Sequence, residues 1–263
     1  MIVTEAEFQK KNPWLRYPYV ARLYDEKTNL IHPDDRAIVE NYNRNRPSEF
    51  CFELHVPPFP FQGNPFHSKV VFLSQNPGYV KHVNKDAALL LEQVKGLSFQ
   101  LSEEWNKHRI HDVNSLFPDQ EYVNVYQSFQ LLGDWYWYNK LIQLCKDAKM
   151  PEMEFFKKVA LIQLMPYSST SCNKVITNLP SQEYTKQLIL YLLEQPNAPL
   201  FVVMRSEPDW EELLGIRFHE SQFKDRFVLR KRDKNGHRPR MQYINQNAFA
   251  DNGYKRIIQA FNS

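Results

Sequence analysis

Two carboxamides and a phenol follow the end of an apolar run in the first third of the chain. Gln75, Asn76 and Tyr79 come directly after residues 70–73, a β-branched and aromatic run that is typical of a buried parallel strand. The turn at 76–78 ends this run, because proline fixes its own φ and glycine permits positive φ. Ligands of open α/β sheets bind just outside the carboxyl ends of strands. The position predicts a site that includes these three side chains, and the alternative is a surface turn whose asparagine serves only backbone geometry.

Two later apolar runs also end in polar turns. Residues 158–164 lead into a turn that contains Ser168, and residues 199–204 lead to Arg205. Ser168 either contacts a phosphate or the edge of a base, or it belongs to a polar loop that caps a helix. Arg205 either binds phosphate or forms an ion pair with an acidic residue of the helix that follows. Both residues are therefore candidates for the same edge of a sheet.

A local excess of positive charge lies between residues 224 and 240. Eight lysines and arginines are opposed there by two aspartates, although the net charge of the whole chain is only +3. Such a patch suits phosphate, and the alternative is a solvated hairpin around an Asn-Gly turn. The candidates for contact with a nucleic-acid backbone are Arg205, Arg230, Arg232, Arg238 and Arg240.

Composition predicts an ordinary globular protein. The 263 residues are 43% hydrophobic and 24% charged. Three widely separated cysteines argue against a disulfide framework and a structural zinc. The first residues carry no hydrophobic signal core, and no stretch approaches the roughly 20 apolar residues of a membrane span. We expect a soluble protein in a reducing, cytoplasmic setting, without a membrane partner.

The order of the patterned segments indicates an α/β domain. Short apolar strands alternate with segments of helical spacing, which is typical of a parallel sheet covered on both faces. The proline-rich segment 56–65 is expected to be an irregular loop. Residues 1–48 are expected to form an N-terminal extension packed on the domain at 49–263, with Asp34 capping a short helix. The strands are expected at 70–73, 158–164, 199–204, 227–229 and 241–245, and the helices at 83–110, 134–149, 181–194, near Trp210 and at 254–261.

The order of the motifs at the strand ends resembles the uracil-DNA glycosylase superfamily, most closely its divergent bacterial branches. The motifs are the segment 60–65, residues 70–79 and residues 163–168. Residues 74–78, Ser-Gln-Asn-Pro-Gly, blend the family's Gly-Gln-Asp-Pro-Tyr with the Asn-Pro-Gly of other branches. The resemblance covers about residues 56–260. It implies a three-layer α/β/α sandwich with a central, mostly parallel four-stranded sheet, and a site that accepts an extruded nucleobase.

The resemblance also implies roles for individual residues. Asn76 would position water at C1′, although an asparagine cannot ionise and slower chemistry is expected than with the family's aspartate. Gln75 would lie beside the base, while Tyr79 and Phe66 would shape the pocket. Asn245 would contact the leaving base. DNA, single-stranded or mismatched, is the implied partner of a monomer that needs neither a metal nor another cofactor.

The segment after the last predicted strand departs from the family pattern. The family has His-Pro-Ser-Pro or a relative there, whereas residues 244–249 contain no histidine. Asn245 offers only a neutral hydrogen bond, which is weaker than a charge-assisted one. The first hypothesis is hydrolysis of the N-glycosidic bond of a damaged or modified base by water without a metal. The alternatives are a non-catalytic nucleic-acid-binding protein on the same fold and an enzyme that acts on a free nucleotide.

Overall fold

The computed structural model describes residues 4–16, 29–54, 58, 60–78, 134–233, 236 and 244–263. The predicted helix at 83–110, the turn at 234–235 and residues 241–243 lie outside these ranges. None of the helices in the described ranges combines the length and the apolar composition needed to cross a bilayer. The α-helices are α1 (Glu5–Gln9), α2 (Arg36–Arg44), α3 (Asp134–Asp147), α4 (Glu152–Lys157), α5 (Gln182–Leu193), α6 (Glu207–Leu214) and α7 (Gly253–Phe261). The strands are β1 (Phe61–Gln62), β2 (Val70–Ser74), β3 (Val159–Gln163), β4 (Leu200–Val203) and β5 (Phe227–Leu229).

The strands form one mixed five-stranded sheet in the order β1-β3-β2-β4-β5. Strand β2 is central, and Phe72 lies opposite Leu161 of β3 and Val202 of β4. Strands β2, β3, β4 and β5 are parallel, whereas β1 pairs antiparallel with β3. The predicted α/β class is confirmed. The predicted count of four strands is wrong, because β1 adds an antiparallel edge strand.

Strand β1 lies in the segment that was expected to be an irregular loop. Pro60 precedes β1 and has no amide hydrogen to donate to a neighbouring strand. This is tolerated at the edge of the sheet, because β3 needs only the Pro60 carbonyl, which accepts a hydrogen bond from the Gln163 amide (2.9 Å). Gly63 then turns the chain with a φ of 72°. A Cβ at this position would lie 2.3 Å from the Val159 carbonyl oxygen, so the close approach to β3 requires glycine.

Alternation along the strands divides the core between the two faces of the sheet. The α5 face carries Val71, Leu73, Ala160, Ile162, Phe201 and Val203, which share one buried cluster with α5, α6 and the N-terminal segment. The α3 face carries Val70, Phe72, Val159, Leu161, Val202 and Val228, which share a second cluster with α3, α4 and α7. Helices therefore cover both faces, and the described chain has three layers.

The N-terminal segment belongs to the core of the α5 face. Trp14 and Val39 are buried in the same cluster as β2 and β3. Asp34 is exposed, and the neighbouring Asp35 is fully buried instead. The Asp35 carboxylate accepts hydrogen bonds from the Tyr167 hydroxyl (2.7 Å) and from both the backbone amide (2.9 Å) and the hydroxyl (2.6 Å) of Ser181. One buried carboxylate therefore ties this segment to the loop after β3 and to the start of α5.

Candidate functional site

The carboxyl ends of β2 and β4 lie side by side at a switch point of the sheet. After β2 the chain passes to β3 on one side, and after β4 it passes to β5 on the other. Connections that leave two neighbouring strands in opposite directions open a crevice between them, where α/β proteins bind ligands. Gln75 and Asn76 follow β2 at this edge, and Arg205 follows β4.

The carboxamide of Asn76 is fixed through its nitrogen. Nδ2 donates to the Ser169 hydroxyl oxygen (2.8 Å) and to the carbonyl oxygens of Pro77 (3.1 Å) and Tyr167 (3.4 Å). Because two of these partners are carbonyls, which only accept, the nitrogen must face them and the orientation of the amide follows. Oδ1 accepts no hydrogen bond from the described part of the chain, and the residue is half-buried. Asn76 therefore presents one acceptor oxygen at the edge.

Backbone pairing beyond the strand ends holds Asn76 against the loop after β3. The amides of Leu164 and Met165 donate to the carbonyls of Ser74 (3.0 Å) and Gln75 (2.8 Å), so the ladder between β2 and β3 continues past both strands. The Ser169 amide then donates to the Pro77 carbonyl (3.3 Å). Two segments that are about 90 residues apart in the chain thus form one rigid junction around the carboxamide.

Gln75 points to a thiol. Its Nε2 donates to the Cys172 sulfur (3.0 Å), which in turn donates to the Lys174 carbonyl (3.5 Å). Burial raises the pKa of the Cys172 thiol, against the opposing effect of these hydrogen bonds. This environment keeps the Cys172 thiol protonated, so its contact with Gln75 does not generate a thiolate nucleophile.

Burial likewise raises the pKa of the Asp209 carboxyl.

The structure does not bring all the predicted side chains to Asn76. Phe66 lies before β2, at the opposite end of the sheet, and its ring contacts those of Phe8 (6.3 Å) and Tyr191 (6.1 Å). It therefore does not line a pocket with Asn76. Ser168 lies in the same loop as Ser169, is buried, and accepts a hydrogen bond from the Glu53 amide (2.9 Å) through its carbonyl. Tyr79 lies outside the described residues.

Asn245 has a local structural task. The predicted strand at 241–245 does not extend to it, and the residue precedes a short 3-10 helix, Gln246–Ala248. Its side-chain oxygen accepts a hydrogen bond from the Asn247 amide (3.0 Å), as an N-terminal cap does. The next residues pair with the end of β5, where Arg230 forms an antiparallel bridge with Phe249. Asn245 is thus associated with β5, two strands from β2.

The predicted arginines are in different environments. Arg205 is exposed and forms no ion pair within the described ranges. Arg230 is buried and donates to the Met204 carbonyl (3.3 Å). Arg232 lies 3.4 Å from a Glu207 carboxylate oxygen and donates to the Gly236 carbonyl (3.4 Å). Arg238 and Arg240 lie outside the described residues, so of this set Arg205 is the cation that the structure shows facing solvent without an acidic partner.

Sequence reasoning missed two polar residues at this edge. Ser169 holds the Asn76 amide, and its signal was the polar turn at 167–170, in which Ser168 was chosen instead. Gln163 ends β3 as a buried side chain whose Oε1 has no hydrogen-bond partner within the described ranges. Its signal was a single polar residue in an otherwise apolar run.

The donors at this edge are mostly neutral. No group of three or more His, Cys, Asp and Glu side chains in the described ranges is arranged to hold a metal ion.

No family model matches the chain, and no curated protein or solved structure shows significant similarity to it. The geometry of the edge is therefore the feature that bears on function.

Proposed function

We propose that the chain is a uracil-DNA glycosylase-like hydrolase, which cleaves the N-glycosidic bond of a damaged or modified base in DNA with water oriented by Asn76. One observation carries the proposal. The Asn76 nitrogen is fixed by three acceptors, while its oxygen lacks a partner among the described residues. An acceptor held rigidly at a switch point is suited to orient a water molecule, which donates one hydrogen to it and directs a lone pair elsewhere.

The reaction balances without an ionised group on the enzyme. The water oxygen bonds to C1′, the bond between C1′ and the base nitrogen breaks, and its electron pair leaves with the base. One water proton ends on the base and the other remains on the new hydroxyl. A carboxamide accepts no proton and offers only a dipole to the cationic sugar, so the proposed reaction is slower than one assisted by a carboxylate.

The architecture supports the same proposal. A uracil-DNA glycosylase-like sandwich needs parallel strands between two layers of helices, and β3, β2, β4 and β5 supply such an arrangement. The antiparallel β1 adds to this framework without interrupting it. The proposed site then lies at the carboxyl end of the central strand, where an extruded base would approach from solvent.

The test is an assay of base release. Single-stranded, matched and mismatched oligonucleotides that contain uracil or hypoxanthine are incubated with the protein, and abasic sites are detected by alkaline cleavage. We expect product from the parent chain and a large loss in Asn76→Ala. Asn178→Ala, which removes an exposed amide, is the matched control and should retain activity. Product formation that is equal in the two variants, or no product from any substrate, would count against the proposal.

A second candidate is an enzyme that acts on a free nucleoside or nucleotide. The observation in its favour is the burial of Arg230 and the ion pair of Arg232, which reduce the positive surface available to a DNA backbone. A binding site for a polyanion would show a steep decrease of affinity with salt. If oligonucleotides bind weakly and without salt dependence while a nucleoside is hydrolysed, this candidate replaces the first one.

A further inference from the structure

The loop that fixes Asn76 is paired on its other side with a segment that precedes β1. Ser169 of this loop is buried, and its hydroxyl accepts a hydrogen bond from the Asn76 carboxamide (2.8 Å). The residue forms an antiparallel bridge with Phe52 on one side and a parallel bridge with Gly78 on the other. Ser169 is therefore held between two backbones, and its position depends on both of them.

The outer side of the Phe52 segment is paired by a side chain in place of a strand. The Phe52 amide donates to Asn43 Oδ1 (2.8 Å), and Asn43 Nδ2 donates to the Phe52 carbonyl (2.9 Å). A carboxamide offers an acceptor and a donor side by side, so Asn43 of α2 acts here as a neighbouring strand would. Because both backbone groups of Phe52 face Asn43, the hydrogen bond to the loop comes from the next residue, whose amide (Glu53) donates to the Ser168 carbonyl (2.9 Å). One carboxamide of the N-terminal segment thus completes the pairing of the loop that holds Asn76.

Two further hydrogen bonds join α2 and the residues after it to the far end of the loop. The Tyr42 hydroxyl donates to the Lys174 carbonyl (3.0 Å), and Arg46 Nη1 donates to Asn173 Oδ1 (2.6 Å). The Tyr42 ring also stacks on the Phe52 ring, with 4.6 Å between the centroids. The same part of the N-terminal segment therefore contacts the loop and the segment beside it.

We propose that Asn43 is a positioning residue for Asn76, which makes the N-terminal segment a component of the candidate site. The Asn43 carboxamide holds the Phe52 backbone, and Phe52 pairs with Ser169. The Ser169 hydroxyl then holds Asn76 Nδ2. Without Asn43, the amide and the carbonyl of the buried Phe52 lack partners, and the segment must move to regain hydrogen bonds. Ser169 moves with it, and the Asn76 carboxamide loses its fixed orientation. The catalytic consequence rests on the proposed function, whereas the orientation of Asn76 does not.

The first experiment observes the Asn76 carboxamide directly, by NMR of the full chain. Its two side-chain N–H signals are identified by their absence in Asn76→Ala. In Asn43→Ala they should move most of the way to the shifts of a free asparagine amide. Two controls lie on the same helix: Asn41→Ala removes an exposed amide, and Val39→Ala removes buried methyl groups and lowers the melting temperature without touching these pairs. Both controls should keep the Asn76 signals of the parent.

A milder variant provides the same test if Asn43→Ala does not fold. Asn43→Asp has the shape of the parent side chain and keeps an acceptor for the Phe52 amide. At neutral pH it places an anionic oxygen against the Phe52 carbonyl, so the Asn76 signals should shift. At acidic pH the protonated carboxyl donates to that carbonyl, and the signals should return towards those of the parent at the same pH.

The second experiment measures base release in the same variants. In Asn43→Ala, kcat should fall about tenfold or more while KM stays within about twofold, because a displaced group impairs the reaction without a contact to the substrate being lost. Val39→Ala, assayed well below its melting temperature, should keep the kcat of the parent. A rise in KM that accounts for the whole loss would mean that Asn43 contacts the substrate, and it would refute the positioning role.

The outcomes separate this inference from the proposed function. Unchanged Asn76 signals in both Asn43 variants, or an equal change in Val39→Ala, would refute the positioning role whatever the assay of base release shows. Signals that change only in the Asn43 variants, together with no product from any oligonucleotide, would retain the positioning of Asn76 and reject the hydrolase. Product from the parent that is undiminished in Asn43→Ala would retain the hydrolase and reject the positioning role.

Discussion

Two buried glutamines allow a test of whether hydrogen bonding or burial decides the contribution of a carboxamide to stability. Gln163 and Gln182 are 4% and 2% exposed, and both lie against the end of β3. Gln182 makes three side-chain hydrogen bonds to backbone groups, whereas the Gln163 oxygen makes none within the described ranges. Leucine has a similar volume to glutamine. Its substitution removes a fully hydrogen-bonded carboxamide at Gln182, but at Gln163 it removes a carboxamide whose oxygen has no partner within the described ranges.

The expected magnitudes follow from the partners that each change leaves behind. Gln182→Leu leaves the carbonyls of Leu164 and Ile176 and the amide of Leu179 without a hydrogen-bond partner. Each buried polar group that loses its partner lowers the free energy of unfolding by about 1–3 kcal/mol. Burial of the leucine offsets part of this cost, so the free energy of unfolding should fall by about 3–5 kcal/mol. Gln163→Leu removes an oxygen that already lacks a partner, and it should raise that free energy by about 1 kcal/mol. In a chain of this size, the melting temperature should fall by about 10 °C in the first variant and rise by about 3 °C in the second.

Urea and thermal unfolding, followed by circular dichroism, measure both changes. The urea midpoint should move without a change in slope, because neither substitution alters the surface exposed on unfolding. A comparable loss of stability in both variants would refute the reasoning, since Gln163 would then have an interaction that the described contacts do not contain.

Three further predictions concern other parts of the edge. Asp35→Ala should lower the free energy of unfolding by about 3–5 kcal/mol in urea titrations, because it leaves buried donors without their acceptor, while Asp34→Ala, at an exposed carboxylate, should have little effect. Asn76→Asp should lower both the melting temperature and base release, because an anionic oxygen would face the Tyr167 and Pro77 carbonyls, and increased activity would contradict the geometry. Burial raises the pKa of Cys172 above its value in the unfolded chain, so its contribution to stability is present below the ordinary thiol pKa and is lost as the pH rises through the folded value. Unfolding measured from neutral to alkaline pH should show a smaller decline in Cys172→Ala than in the parent.

The sequence predicted the parallel strands because each is a short, continuous apolar run bounded by turn residues. Strand β1 was missed because prolines precede it. Only the sheet shows that Pro60 lies at an edge, where pairing of its carbonyl is sufficient.

The spacing of residues also could not show which of Asp34 and Asp35 is buried. Both are plausible caps, and the burial of Asp35 depends on Tyr167 and Ser181, which lie more than 130 residues further along the chain.

The sequence indicated the position of Asn76 in the fold, but not the side chains that contact it. Asn76 was placed after the apolar run 70–73 because a strand followed by a proline turn is visible in the sequence, and the structure shows that this strand is the central one. Ser169 became its partner through pairing between loops, which no local pattern reports. The charge run at 224–240 suggested several available cations, but the burial of Arg230 and the pairing of Arg232 with Glu207 are tertiary properties. Charge patterns in a sequence do not distinguish a solvated arginine from one that packs against the end of a strand.

The two carboxamides at this edge differ in one physical respect, the number of hydrogen-bond partners that each has among the described residues. Asn76 is locked with its nitrogen inward, so it offers only an acceptor, and water bound to it must donate a hydrogen and keep a lone pair for attack. The Gln163 oxygen has no hydrogen-bond partner within the described ranges, so no contact there fixes the orientation of that amide. In the proposed hydrolase, a fixed acceptor would give the water nucleophile one orientation. The orientation of that water would then depend on the number of protein partners that the Asn76 amide has, without a charge at this position.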